Sequence, residues 1–429
     1  MESNNRQRKT GMLIKIAYRN IYRNKRRTAF SLCAVGVAVF MFVFVTSFND
    51  GQVKCVSDTV QVFEEGHVKV VSARYEADNN YMPVQYPLAS GPENPNGKNW
   101  KEIAATIRKI PGVREVFPRI SSLATMQQSS INHAVLWGLD IPGEMKTNHF
   151  NLADRNDGLR QGRWPTPNSN ECAVGEIFAR KTGLGIGDHI PLKTVSAQFS
   201  DKMWSPVITG IFNFDYFKCD ERYIIVDFER LQRLLVLDEG TQSLVIFADN
   251  QRRSGSIAAA VQKLMGEDHV VSDWNKSHWI AIVRANTPIY IVVYLIFLIV
   301  ASFLIINTIM MIIHERIKEI GMMGCLGMTR AEIIQVFFFE SVFLAIIGAS
   351  LGVIAGGTLT GILSIFPLRL GKIAGNVLPD FPISSTIFFR FGIARMAQAW
   401  LTGLALTSLF TLFPSLRSAY VEPVEALRR

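Results

Sequence analysis

Residues that build metal centres and disulfide frameworks are scarce in this sequence. Its 429 residues include five cysteines and seven histidines. No CxxC pair occurs, and the histidines show no HExxH or other paired spacing of metal ligands. Cys55, Cys172 and Cys219 lie in the long middle part of the chain, where they allow one disulfide, although free thiols are the favoured interpretation. A metal-dependent enzyme is not indicated.

A phosphate-binding loop is also missing. Lys98 and Lys372 each follow a glycine, but Asn and Ile come next, so no GxxxxGK[ST] motif is present. The glycine-rich stretch GLGIGD at 183–188 leads into a predicted strand and not into a helix that could hold a phosphate, which favours a simple turn. We therefore expect the chain to bind no cofactor of its own.

Long hydrophobic runs, by contrast, are abundant. The sequence is 48% hydrophobic, and its mean hydropathy is +0.19. A helix needs about 20 apolar residues to cross a bilayer, and four stretches reach that length. We expect an α-helical membrane protein with four transmembrane helices, at 29–48, 287–313, 335–366 and 396–416.

Positive charge is concentrated at the N-terminus and orients the chain. Residues 1–28 hold nine Lys or Arg and one Glu, whereas residues 51–286 hold 26 basic and 27 acidic residues. The positive-inside rule makes the basic flank cytoplasmic, with both termini inside and the large domain outside. Apolar positions from Ile14 to Tyr22 recur at helical spacing, so we expect this flank to lie on membrane lipids and not on nucleic acid.

The predicted order along the chain follows from these spans. It is a cytoplasmic amphipathic flank (1–28), helix 1 (29–48), an external domain (49–286), helix 2 (287–313), a cytoplasmic segment (314–334), helix 3 (335–366), an external loop (367–395), helix 4 (396–416) and a cytoplasmic tail (417–429).

The external domain has a soluble composition and is predicted to be mixed α/β. A β-rich or alternating pattern predicts strands, and a 3.6-residue period predicts helices. The predicted strands are 66–75, 134–141, 205–214, 222–227 and 242–249, and the predicted helices are 99–110 and 256–266.

Helix 2 is predicted to extend well beyond the membrane. A helical pattern runs from about 276 to 320, on the order of 65 Å, or roughly twice the hydrocarbon thickness. Such a helix would project outside as a stalk. A break at Pro288 into two helices is the alternative.

Helix 3 carries a glycine repeat and a carboxylate. Gly348, Gly352 and Gly356 recur every fourth residue, a spacing that lets two helix backbones approach closely. The partner is either another span of the same chain, which we favour, or a second protomer. Glu340, an intramembrane polar residue like Asn307, has either a functional role or a position that reaches the cytoplasmic headgroups.

The segment HERIKEIGMMGCLGMTRAEII, at 314–334, separates helices 2 and 3. On a helical wheel, one face is apolar and suits the membrane, while the opposite face combines carboxylates with Met322, Met323 and Leu326. Methionine adapts its shape and glycine permits close approach, so this second face is predicted to dock into a groove of a partner protein. A tight turn with methionines facing lipid is the alternative.

Several stretches of the chain closely resemble the FtsX-like permeases of MacB-type ABC transporters, and the layout is most similar to that of the lipoprotein-releasing Lol permeases (LolC/LolE-like). AYRNIYRNKRRT precedes helix 1, ERIKEIGMMGCLGMTRAEIIQVFFFE lies between helices 2 and 3, and PVEALRR forms the tail. The external domain adds PGVREVFPR (111–119), GLDIPGE (138–144), LRQGRWP (159–165) and GLGIGDHIPL (183–192).

This resemblance implies a fold and a set of partners. The fold would be four transmembrane helices with a large MacB-like periplasmic core domain inserted between helices 1 and 2, in a bacterial inner membrane. ATP and Mg²⁺ would be bound by separate cytoplasmic ABC ATPase subunits. Residues that match the family's ATPase-coupling segment are Glu315, Arg316, Glu319, Ile320, Gly321 and Gly327, to which the helical wheel adds Met322, Met323 and Leu326. Glu340 matches the carboxylate that opens the family's third span.

The implied activity is transport without catalysis by this chain. Two permeases, identical or paralogous, would pair, and ATPase motion would move the external domains to extract lipoprotein or another amphipathic substrate from the outer leaflet, with a periplasmic chaperone or adaptor as a further partner. Export of a drug, peptide or toxin is the second reading. The third is FtsX-like mechanical signalling to a periplasmic enzyme, which the roughly 240-residue external domain disfavours.

Overall fold

The computed structural model describes most of the chain. The described residues are 12, 15–19, 25–77, 82–88, 99–126, 132–147, 150, 156–315, 322, 328–369 and 386–418.

The described residues form both α-helices and β-strands. The α-helices are α1 (Lys25–Thr59), α2 (Ala73–Ala77), α3 (Trp100–Ile107), α4 (Ile141–Thr147), α5 (Glu176–Thr182), α6 (Phe217–Arg222), α7 (Phe228–Leu234), α8 (Ser254–Met265), α9 (His278–Glu315), α10 (Arg330–Ile365) and α11 (Ile393–Ser418). A π-helix (Val60–Glu65) follows α1, and short 3₁₀ turns occupy Gln251–Arg253 and Trp274–Lys276. The strands are β1 (Val68–Ser72), β2 (Val113–Met126), β3 (His133–Leu139), β4 (Leu159–Gly162), β5 (Glu171–Gly175), β6 (Leu192–Val195), β7 (Asp201–Trp204), β8 (Val207–Phe212), β9 (Tyr223–Asp227), β10 (Ser243–Ala248), β11 (His269–Asp273), β12 (Leu368–Arg369) and β13 (Thr386–Ile387).

The chain divides into two compact units. The first, here called the membrane unit, comprises Met1–Gly51, Asn286–Pro367 and Phe388–Arg429. The second, the sheet unit, comprises Gln52–Ala285 and Leu368–Ile387. Two of the helices, α1 and α9, therefore belong to the membrane unit over one part of their length and to the sheet unit over the other.

Long apolar helices make up the membrane unit. Over the described residues, three helical stretches are long and apolar enough to cross a membrane: Thr28–Glu65, His278–Phe297 and Arg330–Ile365. The predicted fourth span, 396–416, lies inside α11. Helix α11 is not one of those three, and it buries hydroxyl side chains such as Thr407 and Thr411. A count of four spans therefore stays a prediction.

Helix α9 is continuous through Pro288. It spans 38 residues, which corresponds to about 57 Å. The break at Pro288, which the sequence left open, is absent. The part of α9 in the sheet unit and the part in the membrane unit form one uninterrupted helix.

The sheet unit contains one eleven-stranded mixed sheet. Its strand order is β11-β1-β10-β2-β3-β9-β5-β8-β4, and β6 and β7 branch from the far end of β2. Most neighbouring strands are antiparallel, but the pairs β3/β9 and β5/β8 are parallel. Five predicted strands coincide with β1, β3, β8, β9 and β10, and the two predicted helices coincide with α3 and α8.

Helices cover the sheet through apolar clusters. The Asn99 side chain accepts a hydrogen bond from the backbone N–H of Lys101 at 2.9 Å and so begins α3. One cluster joins α3 and α8 to the sheet through Ile103, Ile107 and Val261. Another joins α5 and α7 to the opposite end of the sheet. The α/β character expected of this domain is thus present in the described residues.

Two further predictions concern the cysteines and the loop at 367–395. Cys55, Cys172 and Cys219 are buried free thiols, so the single disulfide that the spacing allowed does not form among them. The loop contains a two-stranded ladder in which Leu368 pairs with Ile387. Within the residues that the structure describes, no group of three His, Cys, Asp or Glu side chains is placed to hold a metal ion.

Candidate functional site

The predicted ATPase-coupling segment, 314–334, is described only at its ends and at one internal residue. Glu315 is the last residue of α9, and Met322 is helical and 51% exposed. The remaining predicted coupling residues lie outside the described residues, so their role stays a prediction: Arg316, Glu319, Ile320, Gly321, Met323, Leu326 and Gly327.

A capping box fixes the point at which this segment turns into α10. The hydroxyl of Thr329 accepts a hydrogen bond from the backbone N–H of Glu332 at 3.4 Å, and the Glu332 carboxylate accepts one from the backbone N–H of Thr329 at 2.8 Å. The four letters TRAE match the [ST]xx[DE] pattern of such a start, a signal that the sequence reading overlooked. The helix therefore begins at Arg330, five residues before the predicted span.

The glycine repeat of α10 faces α1 of the same chain. Gly348, Gly352 and Gly356 are buried in this contact. A Cβ atom at Gly348 would lie 2.8 Å from the Cβ of Val35, and one at Gly352 would collide with the carbonyl oxygen of Gly36. Such contacts require the two helix backbones to lie very close together, as small residues allow in membranes. Of the two partners that the sequence left open, the structure has the intramolecular one.

Polar contacts add to the packing of α11 and α9 in the membrane unit. The indole N–H of Trp400 on α11 donates a hydrogen bond to the hydroxyl of Ser350 on α10 at 3.1 Å. The hydroxyls of Tyr294 on α9 and Thr402 on α11 lie 3.3 Å apart. Tyr294 also packs against Phe42 of α1, with ring centroids 4.1 Å apart. Interhelical hydrogen bonds of this kind stabilise helix pairs in lipid by about 0.6–2 kcal/mol each.

The two intramembrane polar residues singled out in the sequence have different surroundings. Glu340 is 8% exposed, on the face of α10 that also buries Phe337 and Ser341. Asn307 lies on an exposed side of α9. Burial of a carboxylate in a membrane is costly, and the functional role that the sequence allows for Glu340 stays a prediction.

A polar clamp joins the end of the membrane part of α1 to the start of α11. The guanidinium of Arg395 donates two hydrogen bonds to the Asp50 carboxylate, from Nε at 2.9 Å and from Nη2 at 3.1 Å. Ser47 and Arg390 exchange two more, because the Ser47 hydroxyl donates to the Arg390 carbonyl and the Arg390 N–H donates to the Ser47 carbonyl. Bidentate pairs fix geometry better than single contacts do. Sequence reasoning missed this clamp because its partners lie about 340 residues apart.

In the sheet unit, the stretch LRQGRWP is anchored by an ion pair. The Arg163 guanidinium donates to the Glu171 carboxylate from Nη1 at 2.9 Å, and the Thr166 backbone N–H donates to the same carboxylate at 2.9 Å. The hydrogen bond from Arg163 is the main reason that the pKa of Glu171 falls to about 2.

This ion pair predicts a pH dependence of stability. Since the folded-state pKa of Glu171 lies below its ordinary value of 4.5, the stabilisation is present above about pH 4.5 and is lost as the pH falls towards 2. We expect Glu171→Gln to lower the Tm of the detergent-solubilised chain at pH 7 by only about 2 °C, because the Arg163 side chain of the pair is 55% exposed and solvent screens its charge. The difference from the wild type should vanish near pH 2, and a difference independent of pH would contradict this assignment.

Comparisons with known proteins show what this chain is similar to. Residues 291–423 match the model of the FtsX-like permease C-terminal family. The chain is 22% identical over 346 residues to the lipoprotein-releasing system transmembrane protein LolC of Xylella fastidiosa, covering 77% of this chain and 81% of LolC. It is 27% identical over 284 residues to the macrolide export ATP-binding/permease protein MacB of Bradyrhizobium diazoefficiens, covering 64% of this chain and 36% of MacB. The periplasmic region of MacB from Actinobacillus actinomycetemcomitans aligns with 51% of this chain and 92% of its own length, with a TM-score of 0.32 and 11% identity.

Proposed function

We propose that this chain, which resembles the FtsX- and MacB-type permeases as its sequence indicated, is the membrane subunit of an ATP-driven transporter that extracts lipoprotein from the outer leaflet of a bacterial inner membrane. The observation that carries the choice of substrate is the extent of the similarity to LolC, which covers 81% of that protein's length. The permease character itself rests on the FtsX-like match at 291–423.

The proposed energy input is cytoplasmic. A separate ABC ATPase would bind the segment 314–334 of each of two permeases and supply ATP and Mg²⁺, because the chain contains no phosphate-binding loop. Helices α1 and α9 each contribute residues to both units, so motion in the membrane unit could pass along two continuous helices into the sheet unit. The sheet unit would be periplasmic and would handle the substrate there.

The packing of the membrane unit supports handling of substrate at its surface. The buried side chains between α1 and α10 are mainly apolar, including Val39, Phe337 and Ala349, and the glycine repeat leaves the two backbones in close contact. A water-filled route through a membrane protein is normally lined by polar groups. Over the described residues, the tight α1/α10 contact therefore favours extraction from the leaflet over passage through the helices of one chain.

Export of a drug, peptide or toxin is the second candidate. It is favoured by the higher identity to MacB, 27% over 284 residues against 22% for LolC. The two candidate functions differ in what happens to lipoproteins. Only a transporter that extracts lipoprotein would change their distribution between membranes directly.

Depletion of this chain in its native cell tests the lipoprotein proposal. We expect lipoproteins destined for the outer membrane to accumulate in the inner-membrane fraction, because the step that removes them would stop. The measurement is membrane fractionation followed by quantitative mass spectrometry. Expression of the wild-type chain should restore the normal distribution, and unchanged sorting with increased sensitivity to an exported compound would favour the efflux candidate.

A further inference from the structure

The helix that leaves the membrane unit does not end where the sheet unit begins. Helix α1 continues without a gap into the π-helix Val60–Glu65, which buries Val60, Gln61 and Phe63. Gly66 follows with φ +61°, and a side chain there would collide with Val245. π-Helices are rare, form mostly single turns and often occur at functional positions. The surroundings must therefore hold this turn in place.

A buried arginine from the centre of the sheet supplies one of the contacts. Arg119 of β2 is 3% exposed, and its Nη2 donates a hydrogen bond to the carbonyl of Val62 in the π-helix at 2.8 Å. The same guanidinium donates to both carboxylate oxygens of Glu144 in α4, at 3.0 and 2.6 Å. Its central carbon lies 5.2 Å from the ring centroid of Trp137 in β3. One side chain thus joins the π-helix, two strands and a helix.

Stability alone does not account for this charged group. A buried ion pair is often no more stabilising than apolar residues of the same volume, because both charges lose their hydration. What the guanidinium adds is geometry, since its planar fork can hold a carboxylate and a carbonyl at the same time, whereas the ammonium of lysine cannot reproduce that arrangement.

Neighbouring side chains fix the rest of the π-helix. The ring of Phe63 lies among four aromatic rings, with centroids 5.2–6.1 Å away, from Trp137, Phe150, Phe214 and Tyr216. Glu64 lies 3.6 Å from the ammonium of Lys218 and 3.5 Å from the hydroxyl of Tyr216. Carbonyl, aromatic and carboxylate groups of one helical turn are therefore each held by the domain.

The start of α9 is attached differently. Within the sheet unit, Ile280 and Val283 pack against Val56 and Val60 in a small apolar cluster. The guanidinium of Arg284 in α9 also donates a hydrogen bond to the side-chain oxygen of Asn275, in the turn that precedes the helix.

We infer that Arg119 is a positioning residue, which fixes the π-helix to the sheet so that displacement of α1 moves the sheet with it. This inference rests on the proposed function, because it states how ATPase-driven motion would reach the domain that handles substrate.

The test is hydrogen exchange on the intact complex of the chain and its ATPase in lipid nanodiscs, with and without ATP, Mg²⁺ and vanadate. In the wild type, we expect nucleotide to change amide exchange in peptides covering 60–66 and 116–121 together. Arg119→Lys should keep the change at 60–66 and reduce that at 116–121 about five-fold. Arg163→Lys, which alters a guanidinium–carboxylate pair remote from the π-helix in sequence, is the control and should behave as the wild type does.

The outcomes separate the inference from the function on which it rests. Absence of any nucleotide-dependent change in the wild-type sheet unit would contradict the proposed function. An equal response of the wild type and Arg119→Lys would overturn the inference. If Arg119→Lys does not fold, Lys218→Met takes its place, because it removes the contact of the partly buried Lys218 with Glu64. Lys218→Met should reduce the nucleotide-dependent change in amide exchange at 116–121 about two-fold. The control variant Lys181→Met should leave that change as it is in the wild type. A normal response of Lys218→Met would then overturn the inference.

Discussion

Gly352→Ala is expected to destabilise the membrane unit by about 1–3 kcal/mol, although alanine is the better helix former. The added Cβ would collide with the carbonyl oxygen of Gly36 and lie 2.9 Å from the Cβ of Val39. Backbone atoms cannot yield as a flexible side chain can, so α1 and α10 would have to separate. A larger change, Gly352→Leu, should prevent recovery of the folded chain.

Gly361 offers a matched control in the same helix. A Cβ there would meet only Phe391, at 3.5 and 3.7 Å, which are ordinary van der Waals distances. Gly361→Ala should therefore be neutral or slightly stabilising, through helix propensity. The measurement is the Tm of the full chain in detergent, with unfolding monitored by tryptophan fluorescence. Equal Tm values for the two variants would mean that close packing of α1 on α10 contributes little.

Met323→Glu and Gly327→Trp are expected to reduce co-purification of an ATPase subunit by about ten-fold or more, while the permease still inserts. The prediction comes from the helical wheel, on which an apolar, methionine-containing face opposes the membrane face. A buried charge or a bulky ring at a docking surface should exclude the partner. The measurement is affinity isolation of the tagged chain from native membranes, with the ATPase quantified by mass spectrometry.

Met203→Glu is the control for the charge introduced. Met203 lies on β7 of the sheet unit and is exposed, so this variant should retain the ATPase at the wild-type level. Full recovery of the ATPase with both coupling variants would exclude the segment 314–334 as the docking element. Loss with all three variants would indicate a general defect in assembly.

The sequence predicted the close helix contact better than it predicted the partner. The spacing of Gly348, Gly352 and Gly356 requires a neighbour at short range, and that neighbour is α1. Its contribution could not be read from the sequence, because Gly36 is one small residue in a uniformly apolar run. An entirely apolar run has no amphipathic pattern that would distinguish one side of the helix from another. Only the folded helix pair shows which side of α1 contacts the glycines of α10.

Strand β2 was missed for a related reason. Its 14 residues are buried on both faces near the middle, so the alternation that marks a half-buried strand is absent. Pro118 also argues against a strand in a sequence reading, yet it pairs in register with Leu244 of β10. The strands β4, β6 and β7 have four residues each, too few for a period to be recognised. Strand β9 is also buried throughout, but it was predicted because its sequence YIIVD is a short run rich in β-branched residues.

Arg119, Glu144 and the carbonyl of Val62 form an arginine clamp, which marks the limit of sequence reasoning for the sheet unit. Arg119 ends the stretch PGVREVFPR and Glu144 ends GLDIPGE, and both stretches were noted for their resemblance to a family. Their pairing depends on β2 and β3 lying side by side in the sheet, with α4 directly after β3. No local pattern connects the two residues, and the carbonyl of Val62 that completes the clamp is a backbone group without any sequence signal.

Release of lipoprotein from proteoliposomes tests the central claim most directly. The complex of this chain with its ATPase would be reconstituted with a lipoprotein in the membrane, and the lipoprotein released into solution would be measured with and without ATP. We predict release that requires ATP hydrolysis and stops when vanadate is added. A complex that hydrolyses ATP while the lipoprotein stays in the membrane would contradict the proposed function.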